Sequence, residues 1–425
     1  MEKFIEAIEV IVKDYYDQLK SSPPKLDNNV RLSAPAFDHL EAMRAISTIL
    51  SGWISQGKNV KEFEDSFASY VGCSKGIATN SGSSANLLAL HALKEVKGIE
   101  DGSEVIVPAA TFATVSMPII QAGMIPVYVD VESNSLNILS DQVEEAISDA
   151  TKILMPVHTL GYPANMNQLM SIASKYNLAV LEDCCEAHGS KLNGQKVGSF
   201  GDIGTYSFFV AHNMTTGEGG MVVTNDSDIE RLCRSYREFG RYQNESNEKL
   251  RYYTNDVLTD YDVRYVFDRL GYNLRMTDVM AAFGIEQLKK LDTMNKIRRS
   301  NATKFIQVLQ TKTKGYLSST VESTGHHHTY YTFPIIIHKN APFNRRQFTD
   351  YLEERNIETR PLFGGCLPDQ PGLRNAPGRI IGDLPNARYI RDNLVFIGIH
   401  PGLTKENIEY VSDTIISFIE NHTND

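Results

Sequence analysis

Three stretches of the chain carry residues whose types and spacing could do chemistry. The first, TNSGSSANLLALHAL (79–93), runs from a strand-like segment through small residues into an amphipathic helix with Leu87, Leu90 and Leu93 on one side. Small residues at a helix start leave backbone N–H groups open to a phosphate, which the helix dipole also favours. A plain N-cap by Ser81, Ser83 or Ser84 would leave the same pattern. No GxxxxGK[ST] and no GxGxxG occurs here, which excludes a P-loop and a dinucleotide fingerprint. The second stretch is LEDCCEAHGS (181–190), a strand ending on adjacent acids. The carboxyl ends of strands are where α/β sheets bind ligands. Asp183 there can hold a pyridinium nitrogen protonated, or be a helix cap or a surface acid. The third, SFGDIGTYSFFVAHNMTTGEGGMVVTN (199–225), joins a β-rich run to a loop with Ser207, His212, Thr215, Thr216, Gly217, Glu218, Gly219 and Gly220. So many glycines and hydroxyls would allow close backbone approach to a ligand. His212 is either a general base near neutral pH or a structural histidine.

Such residues need strands that end near one another. EVIVPA (104–109), IPVYVDV (125–131), KILMPVH (152–158) and LAVLED (178–183) read as strands, and TYSFFV and GGMVVTN as two further β-rich runs. FATVSMPIIQAG and NMNQLMSIASKY read as helices between them. The alternation predicts an α/β domain around a mostly parallel sheet. Residues 226–241 and 274–300 read as helices on either side of a tyrosine-rich stretch, 242–272. Beyond 300, a helix, a strand (TYYTFPIIIH) and two helices (FNRRQFTDYLEERN, KENIEYVSDTIISFIE) predict a smaller α+β domain. The chain opens with a helix carrying Ile5, Ile8, Ile11 and Val12, then a polar connector, SSPPKLDNN, and more helix to about residue 70. The expected division is a helical arm over 1–50, a large domain over 51–295 and a small domain over 296–425. The triple histidine His326–His328 reads as a polar loop rather than a metal site, since nothing nearby supplies a carboxylate at fixed spacing.

The chain has 425 residues, 42% of them hydrophobic and 22% charged, enough for about two or three domains. That composition excludes long disorder, collagen-like repeats and a coiled-coil rod. A net charge of −10 argues against nucleic acid as a partner. The five cysteines (Cys73, Cys184, Cys185, Cys233 and Cys366) do not make a secreted disulfide framework. The opening lacks a signal peptide's basic start and apolar core, and no run of about 18 apolar residues occurs. The expectation is a soluble cytoplasmic protein with no membrane partner.

Taken in order, NSGSSANLLAL, VPAATFATV, PVHTLGYPANM, LEDCCEAHGS, GDIGTYSFF, TTGEGGMVVTN, GYNLRMTD and IGIHPGLT resemble the sugar aminotransferase and dehydratase family of pyridoxal-phosphate enzymes. The resemblance covers nearly the whole chain. It implies fold type I, the aspartate-aminotransferase fold: a large α/β domain and a smaller α+β C-terminal domain. It also implies pyridoxal 5′-phosphate or pyridoxamine 5′-phosphate as cofactor. By the same resemblance Gly82, Ser83 and Ser207 would contact the phosphate and Phe112 would stack on the ring. Asp183 would pair the pyridine nitrogen, making the ring an electron sink. Glu186, where aminotransferases commonly have glutamine, would contact the phenolic oxygen. Asn273 would reach a phosphate in a neighbouring subunit, which implies a homodimer with shared sites, and Arg360 would hold substrate.

Position 212 departs from the aminotransferases. They place the Schiff-base lysine five residues after the serine of the SF pair, and counting from Ser207 lands on His212. The branch with histidine there is the sugar 3-dehydratases, which remove the C3 hydroxyl of nucleotide-linked 4-keto-6-deoxyhexoses in dideoxysugar and O-antigen biosynthesis. An imidazole cannot hold the cofactor covalently but can move a proton. The arm and the C-terminal motifs resemble the CDP-4-keto-6-deoxyglucose 3-dehydratases, which carry a [2Fe–2S] cluster on four cysteines. Cys185 matches the first of these, but FGRYQNESNEKLRYYTN holds none of the other three. Glu186 agrees with the iron-free GDP-4-keto-6-deoxymannose 3-dehydratases. The resemblance therefore implies a dehydratase without an iron–sulfur cluster or other metal, re-aminated by L-glutamate. An aminotransferase of altered chemistry and a non-catalytic sugar or cofactor binder are the alternatives.

Overall fold

The computed structural model of the chain describes residues 2–21, 29–34, 36–243 and 250–423. Residues 22–28 of the polar connector and 244–249 of the tyrosine-rich stretch lie outside the described residues. The arm contributes α1 (Glu2–Ser21) and α2 (His39–Leu50), the latter closed by a capping box between Asp38 and Glu41. Between them Val30 pairs with Ile357, so this segment crosses to the C-terminal part of the molecule.

The apolar runs assemble into one eight-stranded sheet. In chain order it takes β1 (Lys75–Thr79), β2 (Glu104–Pro108), β3 (Ile125–Val129), β4 (Thr151–Leu154) and β5 (Ala179–Asp183). After a small hairpin, β6 (Lys191–Leu192) and β7 (Gln195–Lys196), come β8 (Ile203–Ser207) and β9 (Gly220–Thr224). The strand order is β1-β9-β8-β5-β4-β2-β3, with β16 (Arg379–Ile380) added at the β3 edge. The ladders of β9 with β1 and β8 are antiparallel, and the others are parallel. KILMPVH yields a strand only over its first part, and Val157 pairs once more, in parallel, with Asp183.

Helices cover both faces, which is why the strands are apolar nearly throughout. Val105 and Val107 face one core and Ile106 the opposite one, as the two-residue strand period requires. On the first face lie α4 (Gly82–Val96), α5 (Met117–Gln121) and α8 (Ser227–Arg237); on the other lie α3 (Lys58–Val71), α6 (Ser140–Ala146), α7 (Met166–Tyr176) and the start of α9 (Asp278–Lys312). Leu88, Leu90 and Leu93 of α4 are all fully buried, a wider apolar face than a single stripe, because α8 covers the helix from outside.

The expected boundary at 295/296 falls inside α9, one continuous helix. Its Ala281 and Ile285 pack in the large core, and its Phe305 and Leu309 pack in the C-terminal one. That second core lies under a four-stranded antiparallel sheet ordered β12 (Leu317–Ser318), β14 (Phe333–Ile337), β17 (Leu394–Ile397) and β15 (Thr359–Pro361). α10 (Arg345–Glu353), α11 (Pro385–Asn393) and α12 (Lys405–Thr423) complete this part. The tyrosine-rich stretch forms a short hairpin, β10 (Tyr252–Tyr253) with β11 (Tyr261–Asp262). The triple histidine is not a loop. His326 and His327 form β13, antiparallel to β6, and His328 is buried with its ring stacked 3.6 Å from that of Tyr330. Among the described residues no helix is long and apolar enough to cross a membrane.

Candidate active site

The C-terminal ends of β5 and β8, the start of α4 and the turn after β2 border a cavity of about 650 Å³, closed by the loop after β8, the arm at Leu32 and Ser33, and the C-terminal part. Gly82, Ser83, Phe112, Asp183, Glu186, Ser207, His212 and Arg360 all line it. Asn273 does not. It is exposed, bridges to Glu238 and accepts a hydrogen bond from Arg275 Nε at 3.0 Å.

At one end of the cavity Ser81 caps α4 by accepting from the Ser84 N–H at 3.1 Å. The cap reading holds at Ser81, and it leaves room for the other. The cap takes the Ser84 donor, and the first-turn N–H groups of Gly82 and Ser83 have no acceptor within the helix. A Cβ on Gly82 would stand 2.5 Å from Ser207 Cβ and 3.0 Å from Cys185 Sγ. Only glycine lets the helix start approach the end of β8 this closely. With the hydroxyls of Ser83 and Ser207 beside it, this end suits a phosphate.

Asp183 ends β5. Asn86 Nδ2 donates to its Oδ2 at 2.8 Å, and the Cys185 N–H donates to Oδ1 at 3.0 Å. Thr205 Oγ1 donates to Asn86 Oδ1 at 2.6 Å, which fixes the amide that holds the carboxylate. Glu186 lies buried nearby and accepts from the Leu160 N–H at 2.6 Å. Leu160 has φ +53°, a left-handed conformation that costs an L-residue about 1–2 kcal/mol. Its carbonyl accepts from the Tyr331 N–H at 2.9 Å, so this bend ties Glu186 to the opposite wall. Burial pushes Glu186 up to about 8, against the Leu160 hydrogen bond and with help from the neighbouring Asp183. At neutral pH it keeps its proton and can donate a hydrogen bond.

His212 sits in the loop between β8 and β9. The hydroxyls and glycines expected to admit a ligand hold this loop together. Thr215 Oγ1 donates to Phe208 O at 3.0 Å, Thr216 Oγ1 donates to Glu218 O at 2.6 Å, and the Gly217 N–H donates to Thr215 Oγ1 at 2.9 Å. A Cβ on Gly219 would lie 2.4 Å from Thr216 Oγ1. The imidazole stands with its centroid 5.0 Å from the Tyr331 ring and 5.8 Å from that of His188. Desolvation by its neighbours, helped by the Arg298 guanidinium, pushes His212 down to about 3. The ring is neutral at pH 7, with a lone pair on one nitrogen. Among the described residues no lysine lines the cavity.

Phe112 presents an open ring, 49% exposed, held edge-to-face against Phe363 with centroids 5.7 Å apart. Arg360, on β15, lines the wall, donates from Nη1 to Thr359 O at 2.6 Å and forms a long ion pair, 3.9 Å, with Glu353. Tyr331, Phe363, Phe209 and Leu32 also line the cavity, and sequence reasoning missed them. Tyr331 lies within TYYTFPIIIH, but the strand begins only at Phe333, so Tyr331 belongs to the approach rather than to the ladder. No spacing signals Phe363 or Leu32.

These groups fit pyridoxal phosphate. The donor-rich helix start and hydroxyls would suit its phosphate, Asp183 its pyridine nitrogen, the protonated Glu186 its phenolic oxygen, and the Phe112 face its ring. What the donor set lacks is an amine to anchor the aldehyde.

Comparison with known proteins gives the same outline. The DegT/DnrJ/EryC1/StrS aminotransferase family matches residues 36–416. The chain is 36% identical over 419 residues to the lipopolysaccharide biosynthesis protein RfbH of Salmonella typhimurium, covering 96% of each. It is 34% identical over 421 residues to a dTDP-4-dehydro-2,6-dideoxy-D-glucose 3-dehydratase of Saccharopolyspora spinosa, covering 96% of this chain and 90% of that one. Among solved structures, a GDP-4-keto-6-deoxymannose-3-dehydratase with a trapped PLP–glutamate geminal diamine superposes with a TM-score of 0.83 at 30% identity, covering 91% of this chain and all of that one.

Proposed function

The chain belongs to the DegT/DnrJ/EryC1/StrS aminotransferase family, whose fold is type I and whose cofactor is pyridoxal phosphate, and we propose that within it this protein is a dehydratase. Its reaction would remove the C3 hydroxyl of a nucleotide-linked 4-keto-6-deoxyhexose and give a 3,6-dideoxy-4-ketohexose precursor. The observation that carries this reading is His212. A neutral imidazole occupies the lysine position of the aminotransferases, in a cavity that no lysine lines among the described residues.

When bound, the cofactor supplies an electron sink for the carbon skeleton of the substrate. The chain's own residues do the rest. Gly82, Ser83 and Ser207 hold the phosphate, Asp183 holds the ring nitrogen in its protonated form, Glu186 donates to the phenolic oxygen and Phe112 packs on the ring face. His212 accepts a proton from carbon on its free nitrogen, and the resulting imidazolium can return a proton to the departing C3 oxygen, so that it leaves as water. Arg360 would hold the anionic nucleotide part of the substrate.

The same reading includes a homodimer in which Asn273, exposed on its own chain, completes the phosphate site of the second copy. L-Glutamate would restore the amino form of the cofactor. Iron-free operation belongs to the reading because residues 234–365 contain no cysteine. Incubation with candidate nucleotide-linked 4-ketosugars, pyridoxamine phosphate and L-glutamate, followed by mass spectrometry, tests it. The expected product has lost the C3 oxygen; no loss of oxygen from any candidate sugar would overturn the reading.

A further inference from the structure

A second cavity, of only about 10 Å³, shares His212 with the first and is lined also by Asn213 and Arg298. That is room for about one water. Three buried atoms on these residues have no hydrogen-bond partner: His212 Nδ1, Asn213 Oδ1 and Arg298 Nε. Two other polar residues of the lining are engaged elsewhere, Thr215 by donating its hydroxyl to Phe208 O. Gln287 accepts from the Thr215 N–H and donates to Ala36 O and Glu41 Oε1.

The orientation of each group follows from its other bonds. Asn213 Nδ2 donates to Asn295 Oδ1 at 2.8 Å and to Thr329 O at 3.1 Å, so the amide nitrogen is identified and the oxygen is the atom left over. Arg298 is 3% exposed, and its Nη1 donates to Tyr331 O at 2.9 Å and Tyr330 O at 3.3 Å. Burial and the Tyr331 hydroxyl are what act on its charge, with no carboxylate among them. A buried donor or acceptor left unpaired is unfavourable enough that three of them, on residues that line one small cavity, point to a shared partner.

We propose that Arg298 and Asn213 hold one water molecule against Nδ1 of His212, which makes Arg298 a positioning residue that keeps the ring turned with its other nitrogen toward the substrate. The water accepts from Arg298 Nε–H and from His212 Nδ1–H, and donates to Asn213 Oδ1. Three bonds are the usual complement of a buried water. With Nδ1 carrying the proton, the lone pair lies on Nε2, where a base needs it. The groups facing His212 from the surrounding elements are Arg298 on α9, His188 after β5, Tyr331 before β14, and Glu186 across the cavity. Burial pushes His188 well below its ordinary value and Glu186 above its own. Both are therefore neutral at pH 7, so burial resists protonation of His212 first and the Arg298 guanidinium is the charge that adds to it.

This inference deepens the reading of His212 as the base, but its test reads the ring itself. In ¹⁵N-histidine NMR of the full-length protein, with and without pyridoxamine phosphate, His212 should be the Nδ1–H tautomer at pH 7. Arg298→Met should raise its titration midpoint by about one pH unit or more, and Arg298→Lys should restore it. In turnover, Arg298→Met should move the acid limb of kcat upward while leaving KM within about threefold. A crystal structure should show one ordered water within hydrogen-bond reach of all three atoms. An Nε2–H tautomer, a dry cavity, or a midpoint unmoved in Arg298→Met would overturn the proposal. Should Arg298→Met fail to fold, the wild-type tautomer and Asn213→Asp still decide, since a carboxylate there should draw the midpoint upward. The expected tautomer without any dehydratase turnover would leave this placement standing and overturn the proposed function.

Discussion

Replacing Glu186 by glutamine should make the protein more stable in alkali, not less. A glutamate has an ordinary value of 4.5, against about 8 in this fold, where burial disfavours the charge. Between those values the native carboxyl keeps a proton that the unfolded chain has released. The group's favourable contribution is therefore full below about pH 4.5 and is lost as pH rises through 8. The gap amounts to about 5 kcal/mol by pH 9, at 1.36 kcal/mol per pH unit. Glutamine cannot ionise and keeps an oxygen for the Leu160 N–H. Urea unfolding of the cofactor-free protein should find wild type and Glu186→Gln alike near pH 4.5 and the variant several kcal/mol more stable at pH 9. A constant difference across that range would refute the argument that Glu186 is a buried, protonated donor.

Other expectations follow from the same geometry. His212→Asn should lower turnover by roughly 100- to 10,000-fold, the usual weight of a general base, while still binding pyridoxamine phosphate by absorbance; near-full activity would assign the proton to another group. Borohydride reduction of the protein loaded with pyridoxal phosphate should yield no stoichiometric pyridoxyl-lysine in any peptide of the chain, and such an adduct on a lysine would sink the reading of His212. Gly82→Ala should lose cofactor retention, because the added Cβ would stand 2.5 Å from Ser207 Cβ; equilibrium dialysis showing wild-type affinity would place the phosphate elsewhere. Asn273→Ala should weaken retention roughly ten- to a hundredfold, the loss of one hydrogen bond to a charged group. Mixing it with His212→Asn should restore turnover in one site per heterodimer, and no rescue with heterodimers formed would count against shared sites.

Much of the site is legible in the sequence because its residues stand at the ends of regular elements. Asp183 closes an apolar strand, Gly82 opens a helix, and His212 follows Ser207 at a fixed count; the fold brings all of them to one cavity. Periodicity locates such elements, and the family pattern supplies their roles. What escapes is whatever depends on contacts distant in the chain. Tyr331 reaches the cavity because its N–H is tied to Leu160, 171 positions earlier by residue number. Leu32 arrives because the arm pairs with the C-terminal part at Val30 and Ile357. The triple histidine looks like a polar loop until β6 supplies an edge for His326 and His327 to pair with. In the loop after Ser207, residue types alone cannot show whether threonine hydroxyls serve a ligand or the loop, and here they serve the loop.

The central claim is that this member of an aminotransferase family removes oxygen from its sugar instead of adding nitrogen to it. The direct measurement is product analysis by mass spectrometry after the anaerobically purified protein turns over nucleotide-linked 4-keto-6-deoxyhexoses with pyridoxamine phosphate and excess L-glutamate. The account predicts repeated turnover to a 3-deoxy-4-ketosugar, with 2-oxoglutarate released and neither iron nor a reductase required. A 4-amino sugar as the product, or turnover only with two irons per chain and a reductase fed by NAD(P)H, would contradict it.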